Sequence, residues 1–307
     1  MNVDLLEALV AVADEGGYAR AGRLLNLSQP AVYQRIQRLE ATTGAPVVVR
    51  EGRRIRLTPA GEVIYTHARD IIRQLRLLED ALREDESPGA GVLALMVAHS
   101  LCGFPAPDIC LGFQRKHTEA VVDLRISARP ARDIDREIRE RRSDLGMHSD
   151  PTPVKGLVKN AFYEEECVAV AWPGHRFEDL EVISPQDFAD EEVVMMRDAT
   201  YTFSEGLTEA WFTQGGVQVR PRLISNSFLG VRSFVERRAG VAIMPREHAV
   251  QSPYLIIRRI VNPPVRRLYF VSRVSPYESP VLRAFRDYVL SGEWLRKLPA
   301  PFNSLVA

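Results

Sequence analysis

The chain has 307 residues, about twice the length at which a single core tends to divide, so two domains are expected. Hydrophobic residues make up 46% and charged residues 26%, a globular balance that excludes a fibrous or disordered chain. Lys+Arg and Asp+Glu are 40 each, so the net charge is zero and a globally basic nucleic-acid coat is excluded, though a local one is not.

Lys116, Lys155, Lys159 and Lys297 are the only lysines, so almost every basic site is a guanidinium suited to forked contacts. Cys102, Cys110 and Cys167 are too few and too scattered for a disulfide framework, and Cys102 and Cys110 lack zinc-pair spacing. They read as small buried hydrophobes, with redox sensing as the sharper alternative. Asp4 and Glu7 stand where a signal peptide needs positive charge, and no apolar run is long enough to span a bilayer. A soluble, cytoplasmic protein without a membrane partner is expected.

Leu5, Leu6, Leu9, Val12 and Ala13 predict an amphipathic helix over 3–14, broken at Gly16-Gly17. Tyr18 to Leu25 forms a second short helix, and Asn26-Leu27 a turn. Ser28 is a natural N-cap, Pro30 fits a first helical turn, and the third helix stops at Gly44. Val32, Ile36 and Leu39 should face inward, leaving Gln29, Tyr33, Gln34, Gln37 and Arg38 outward. Val47 to Leu57 reads as a hairpin turning at Glu51-Gly52. Three helices and a basic hairpin make a winged helix-turn-helix. Residues 18–58 carry eight arginines (20, 23, 35, 38, 50, 53, 54 and 56) against Glu40 and Glu51, a phosphate-binding footprint inside a neutral protein.

The segment AGRLLNLSQPAVYQRIQRLEATTGAPVVVREGRRIRLTPAG, residues 21–61, resembles the head of LysR-type transcriptional regulators. The resemblance rests on Ser28-Gln29-Pro30-Ala31-Val32, Leu39-Glu40, Gly44, Arg50, Gly52-Arg53 and Leu57-Thr58-Pro59-Ala60-Gly61. It implies that Ser28, Gln29, Pro30 and Ala31 open a recognition helix in the major groove of double-stranded promoter DNA. It also puts Arg53 at the wing tip. Gln suits an adenine edge, and an Ala or Pro face suits a thymine methyl. Tyr33, Gln34, Arg35, Arg38, Arg50 and Arg54 complete the expected DNA surface. The chain departs from the family in having Tyr33-Gln34 where a small hydroxyl residue and then Arg often stand, which leaves the operator sequence open.

Thr58-Pro59 opens the next helix, with Val63, Ile64, His67, Ile71, Leu75, Leu78 and Leu82 as an apolar stripe wanting a partner helix. The resemblance implies pairing with a second copy, in a homodimer or homotetramer, and hence an inverted-repeat site. The polar run 84–91 is the domain boundary. The expected division is a DNA-binding head over 1–58, a linker helix and hinge over 59–87, and an effector-binding domain over 88–307.

After the hinge, strand-type runs at 92–98, 121–127 and 144–147 alternate with helices at 107–117 and 133–141, an α/β pattern. A second unit follows, with strands at 166–172, 193–196, 240–245 and 268–273 and helices at 204–213, 228–237 and 280–290. The fold class is therefore α/β overall, a mainly α winged head before the rest. The resemblance extends more weakly here, through Asp144 to Met147 and Gly240 to Pro245, with Arg238 in place of a usual glycine. It implies a periplasmic-binding-protein-like domain of two α/β lobes, lobe I about 91–161 and 270–307 and lobe II about 162–269. The crossovers fall near 160–164 and 267–271.

Ligands of open α/β sheets sit beyond strand ends and at helix N-termini, where N–H groups attract anions. Strand 92–98 ends at His99-Ser100, and strand 193–196 ends before Thr200. The resemblance implies that hydroxyls at such places receive an effector carboxylate or its equivalent. Ser100 and Thr200 are the expected anchors of a small organic effector, with His99, His148, Tyr201, Phe203 and Asn226 as wall groups. The alternative for each is a cap, turn or packing role. No HExxH, GxSxG, P-loop or GxGxxG occurs, and the six histidines are scattered, so an enzyme, a metal site and a resident cofactor are not expected. A transport-associated binding protein would leave the arginine-bearing head unexplained. The expected function is sequence-specific transcriptional regulation in which an effector shifts the lobes and, as the resemblance implies, contact with RNA polymerase.

Overall fold

The computed structural model describes residues 2–51, 54–82, 91–196, 203–275, 278–298 and 301–302. The chain forms two compact units, Met1–Glu86 and Ser87–Ala307.

The first unit opens with α1 (Val3–Glu15), α2 (Tyr18–Leu24) and α3 (Gln29–Thr43), then β1 (Val48–Glu51), β2 (Arg54–Leu57) and α4 (Pro59–Leu82). Caps set these limits. Asn2 accepts from Leu5 N, Ser28 Oγ accepts from Ala31 N, and Thr58 Oγ1 accepts from Gly61 N. Gly16 and Gly44 end α1 and α3 in the left-handed region. Leu5, Leu9, Val12, Ala21, Val32, Ile36, Leu39 and Val47 share one core with Ala68 and Ile72 of α4. Two close backbone approaches exclude a side chain. A Cβ on Gly22 would lie 2.7 Å from the Leu27 carbonyl oxygen, and one on Gly61 would lie 1.9 Å from that of Val47.

Linker helix α4 has a second apolar face beyond the expected stripe. Ile64, Tyr65, Ala68 and Ile72 pack on the head. Val63, His67, Ile71, Leu75 and Leu78 are exposed on the other side. Ile64 therefore belongs to the head and not to the stripe.

The second unit begins β3 (Gly91–Ala98), a 3₁₀ turn (His99–Leu101), α5 (Ala106–Lys116), β4 (Ala120–Ser127), α6 (Ala131–Arg139) and β5 (Leu145–His148). A single 15-residue strand, β6 (Leu157–Ala171), comes next. Then follow β7 (Val182–Ile183), β8 (Val194–Met196), α7 (Phe203–Gln214), β9 (Leu223–Ser225), α8 (Phe228–Glu236), β10 (Ala242–Pro245), α9 (Arg246–Ala249), β11 (Ile256–Ile260), β12 (Val265–Arg273) and α10 (Pro280–Leu290).

In lobe I, β3 lies parallel to β4 and β5, and β12 runs antiparallel to β5 and β6. Its core joins Leu93, Leu95, Val97, Phe104, Phe113, Phe270 and Phe285. In lobe II the far half of β6 runs antiparallel to β10 and β11, while β8 and β9 form a parallel pair. Phe177, Phe188, Trp211 and Phe212 fill one face of that lobe, and Phe228, Val231, Val235 and Met244 the other.

Strand β6 thus serves both lobes, pairing with β12 over 157–166 and with β10 over 167–170. The change of partners falls at Glu166/Cys167, beside Val265, which opens β12. The expected strand 166–172 captures only its apolar end, because Lys159, Asn160 and Glu164 to Glu166 disguise the rest. No helix among the described residues is long and apolar enough to cross a membrane.

Candidate functional site

The head presents one polar face. Ser28, Gln29, Pro30, Tyr33, Gln34 and Arg38 are exposed along α3, and Ala31 is half-buried. Tyr33 rests edge-on against Tyr18 at 5.4 Å, which explains how a bulky ring is held there. Arg35 turns back towards α1, 3.5 Å from the Asp4 carboxylate, and is less available to a ligand than its neighbours. Arg50 is exposed on β1. Arg54 opens β2, and Arg53 lies outside the described residues. Arg23, counted in the basic footprint but not among the expected DNA contacts, is exposed on α2. Glu40, by contrast, works inside the head: its Oε1 accepts from Val47 N at 2.9 Å and its Oε2 from Gln37, tying α3 to the wing.

Between the lobes of the second unit lies a cleft of about 260 Å³. His99, Ser100, His148 and Asn226 all line it, so four of the seven expected effector residues come together. Thr200 and Tyr201 lie outside the described residues, and Phe203 opens α7. Ser127, Arg129, Ser149, Ser227 and Arg266 also line the cleft and were not foreseen. The N-termini of α6 and α8 reach it through Ala131 and Ser227. Among the described lining residues there is no carboxylate.

Both ring nitrogens of His148 are already engaged. Nε2 meets Asp135 Oδ1 at 3.0 Å and Nδ1 accepts from Asp150 N at 3.1 Å. An accepting Nδ1 leaves the proton on Nε2, so the ring is a neutral donor to Asp135. Lys159 closes the arrangement on the other Asp135 oxygen at 2.9 Å. Despite its burial, hydrogen bonds from His148 and Lys159 hold the Asp135 carboxyl below its ordinary value. His148 therefore shapes the cleft wall and has no ring nitrogen left for a ligand. His99 and Asn226 are exposed and uncommitted by comparison.

Arg266 sits where the lobes meet. It lines the cleft and also a smaller apolar cavity of about 30 Å³ beside Cys167, Met196, Phe228 and Met244. Its Nη1 donates to Glu165 Oε2 and its Nη2 to Ser100 Oγ, each at 2.6 Å. Ser100 is thus held in place by an arginine from the crossover strand. Burial pushes the thiols of Cys110 and Cys167 up to about 12, which leaves both protonated and poorly nucleophilic.

Residues 3–62 match the model of the bacterial regulatory helix-turn-helix protein, lysR family, and residues 86–293 that of the LysR substrate binding domain. The chain belongs to the LysR family. It is a DNA-binding transcriptional regulator that carries an effector-binding domain. This LysR-type regulator is 28% identical to the RuBisCO operon transcriptional regulator of Allochromatium vinosum, over 95% of this chain and 97% of that one. It is 25% identical to the probable nitrogen assimilation transcriptional activator of Synechococcus elongatus, over 94% of each. Full-length OxyR from Pseudomonas aeruginosa, solved as a variant, superposes with a TM-score of 0.72 at 17% identity, covering 97% and 99% of the two chains. Full-length CbnR, solved with its target DNA, superposes with a TM-score of 0.69 at 20% identity, covering 94% and 99%.

Proposed function

We propose that α3 reads the major groove of an inverted-repeat promoter site through Ser28, Gln29, Pro30, Ala31, Tyr33 and Gln34. Arg38, Arg50, Arg53 and Arg54 hold the phosphates alongside. The observation that carries this reading is the polar face of α3, where Gln29, Tyr33, Gln34 and Arg38 are exposed and Tyr33 rests on Tyr18, on a head whose opposite face packs into the core. Two copies join through the apolar face of α4 that the head leaves exposed, Val63 at 60% and Leu78 at 56%.

The effector-binding domain receives a small organic effector in the cleft between the lobes, against His99, Ser100 and Asn226, and Thr200, Tyr201 and Phe203 remain the further contacts expected from the sequence. The effector favours one arrangement of the lobes over another, since equal affinity for both would shift nothing. That shift alters promoter geometry and contact with RNA polymerase. The regulator acts in the cytoplasm, by binding and not by catalysis.

Gel shift and footprinting of the full chain on DNA from its own upstream intergenic region test the reading. A protected inverted repeat, competed by specific but not by random DNA, is expected. No preference over random DNA across a range of salt would overturn it.

A further inference from the structure

In lobe I, α5, α10 and the 3₁₀ turn Glu293–Lys297 enclose a cavity of about 340 Å³ that shares no lining residue with the interlobe cleft. It is larger than the cleft and lies within the roughly 300–1,000 Å³ of small-molecule sites. Asp108, Leu111, Gly112, Arg115 and Lys116 line it from α5, on one stripe by helical spacing, while Ile109 and Phe113 turn into the core. Tyr288 and Trp294, 8% and 2% exposed, close it from the other side.

The tyrosine is unusual in its lobe. Tyr163 gives its hydroxyl to Glu247 Oε1 at 2.7 Å. The Tyr288 hydroxyl has no hydrogen-bond partner among the described residues, although a buried tyrosine ordinarily finds one. Gly112 makes room for it, since a Cβ there would lie 2.1 Å from Tyr288 Oη.

The charges around it are sorted. Lys116 Nζ donates to Glu293 Oε2 at 2.7 Å, so that pair cancels. Asp108 and Arg115 are left, without an ion-pair partner among the described residues. They stand seven residues apart on α5, two turns or about 10 Å. Helical side chains lean towards the N-terminus, so the long Arg115 side chain closes much of that gap. Burial raises the Asp108 carboxyl above its ordinary value, with no cation beside it to hold it down. Arg115 and Glu293 both act on the Tyr288 hydroxyl, which gathers these groups around one point. The helix dipole accounts for an acid in the first turn of α5 and a base in the last, but not for the cavity between them or the tyrosine facing it.

We propose that this cavity is a second ligand site, for a free apolar α-amino acid. The ammonium meets Asp108, and the carboxylate meets Arg115 and accepts from the Tyr288 hydroxyl. The apolar side chain lies against Leu111 and Trp294. The two unspent charges of opposite sign call for a zwitterion, and the lining between them calls for an apolar body. Arg115 is exposed, so the affinity is modest, with a dissociation constant on the order of 1 mM.

Calorimetric titration of the full chain with leucine and phenylalanine tests the site, beside analogues that each lack one charge. Isocaproate and hydrocinnamate lack the ammonium, and isoamylamine and phenethylamine lack the carboxylate. At least one amino acid should bind, and its analogues about tenfold more weakly or not at all. Asp108→Asn should weaken the amino acid about tenfold and erase its advantage over the acid. Arg115→Gln should do the same against the amine, and Tyr288→Phe should cost about fivefold. Asp108→Asn and Arg115→Gln should melt with the parent, and Ala128→Trp, in the cleft wall, should leave binding unchanged. No binding by either amino acid, analogues that bind as well, or indifference to both charge variants would overturn the proposal. Binding lost with Ala128→Trp would assign the ligand to the cleft and overturn it equally, while leaving the cleft reading intact.

Discussion

Glu165 and Arg266 stand opposite each other in the register of β6 and β12, joined at 2.6 Å and shut away from water at the point where the lobes meet. Removing one partner strands a buried charge. Arg266→Met should therefore destabilise the effector-binding domain by about 3–5 kcal/mol, and Glu165→Met with Arg266→Met should recover most of it. Denaturant unfolding of the three proteins decides. A double variant no more stable than Arg266→Met would mean that Glu165 is not the stranded group.

Glu247 gives the domain a pH signature of its own. Its carboxyl is raised to about 7 in the fold, above its unfolded value, so the folded state binds the proton more tightly. That contribution is fully present in acid and is lost as pH rises from the unfolded value through about 7. Glu247→Gln keeps an acceptor for Tyr163 and removes the titration. Relative to the parent, it should gain up to about 3 kcal/mol between pH 5 and pH 8. A parallel pH profile of melting temperature for the two proteins would refute this.

In the head, Gly61→Ala should be severe, since the added Cβ falls 1.9 Å from the Val47 carbonyl oxygen, which also accepts from Thr58 N. A loss of about 3 kcal/mol is expected in the unfolding of the head, with DNA binding lost alongside. Unchanged melting would show that α4 can back away from β1.

Gln29→Ala and Arg38→Ala should separate reading from holding. The first should cost about 1–3 kcal/mol of discrimination between operator and altered operator. The second should weaken all DNA alike and lower the salt slope by about one. Titrations against two duplexes at several salt concentrations measure both. A uniform loss with Gln29→Ala would remove it from the groove.

Arg238 occupies a left-handed backbone position, φ 60°, at the end of α8. Glycine adopts that conformation without the steric cost a side chain carries. Arg238→Gly should stabilise lobe II by about 0.5–1 kcal/mol, read as a higher denaturant midpoint.

The head was legible because its signals are local. Ser28, Gly44 and Thr58 mark helix ends in the sequence and do so in the fold. The double face of α4 was half legible. Ala68 is too small to announce that it packs on the head, yet it is fully buried there. The two lobes could be read from alternating strands and helices, but β11 and the near half of β6 could not. Their charged residues look like solvated surface until partners distant in sequence are placed beside them: β12 for Glu164 and Glu165, α6 for Lys159, and the Leu180 and Glu178 carbonyls for Arg258. Arg266 was invisible for the same reason, since Glu165 lies 101 residues away and Ser100 lies 166 away. The runs 164–166, all glutamate, and 266–267, both arginine, were the signal that complementary strands face each other.

A strand of 15 residues is about 50 Å long, and β6 runs that length without a break while the lobes divide its hydrogen bonds between them. Two adjacent antiparallel strands paired along 157–166, with a single register shift at Leu268/Tyr269, resist folding like a door hinge because that would break ladder bonds. They can, however, wind or unwind. Torsion is accordingly the motion that this pairing opposes least. A few degrees of added twist in one ribbon become ångströms of travel at the far edges of the lobes, so a small ligand near the ribbon works on a long lever.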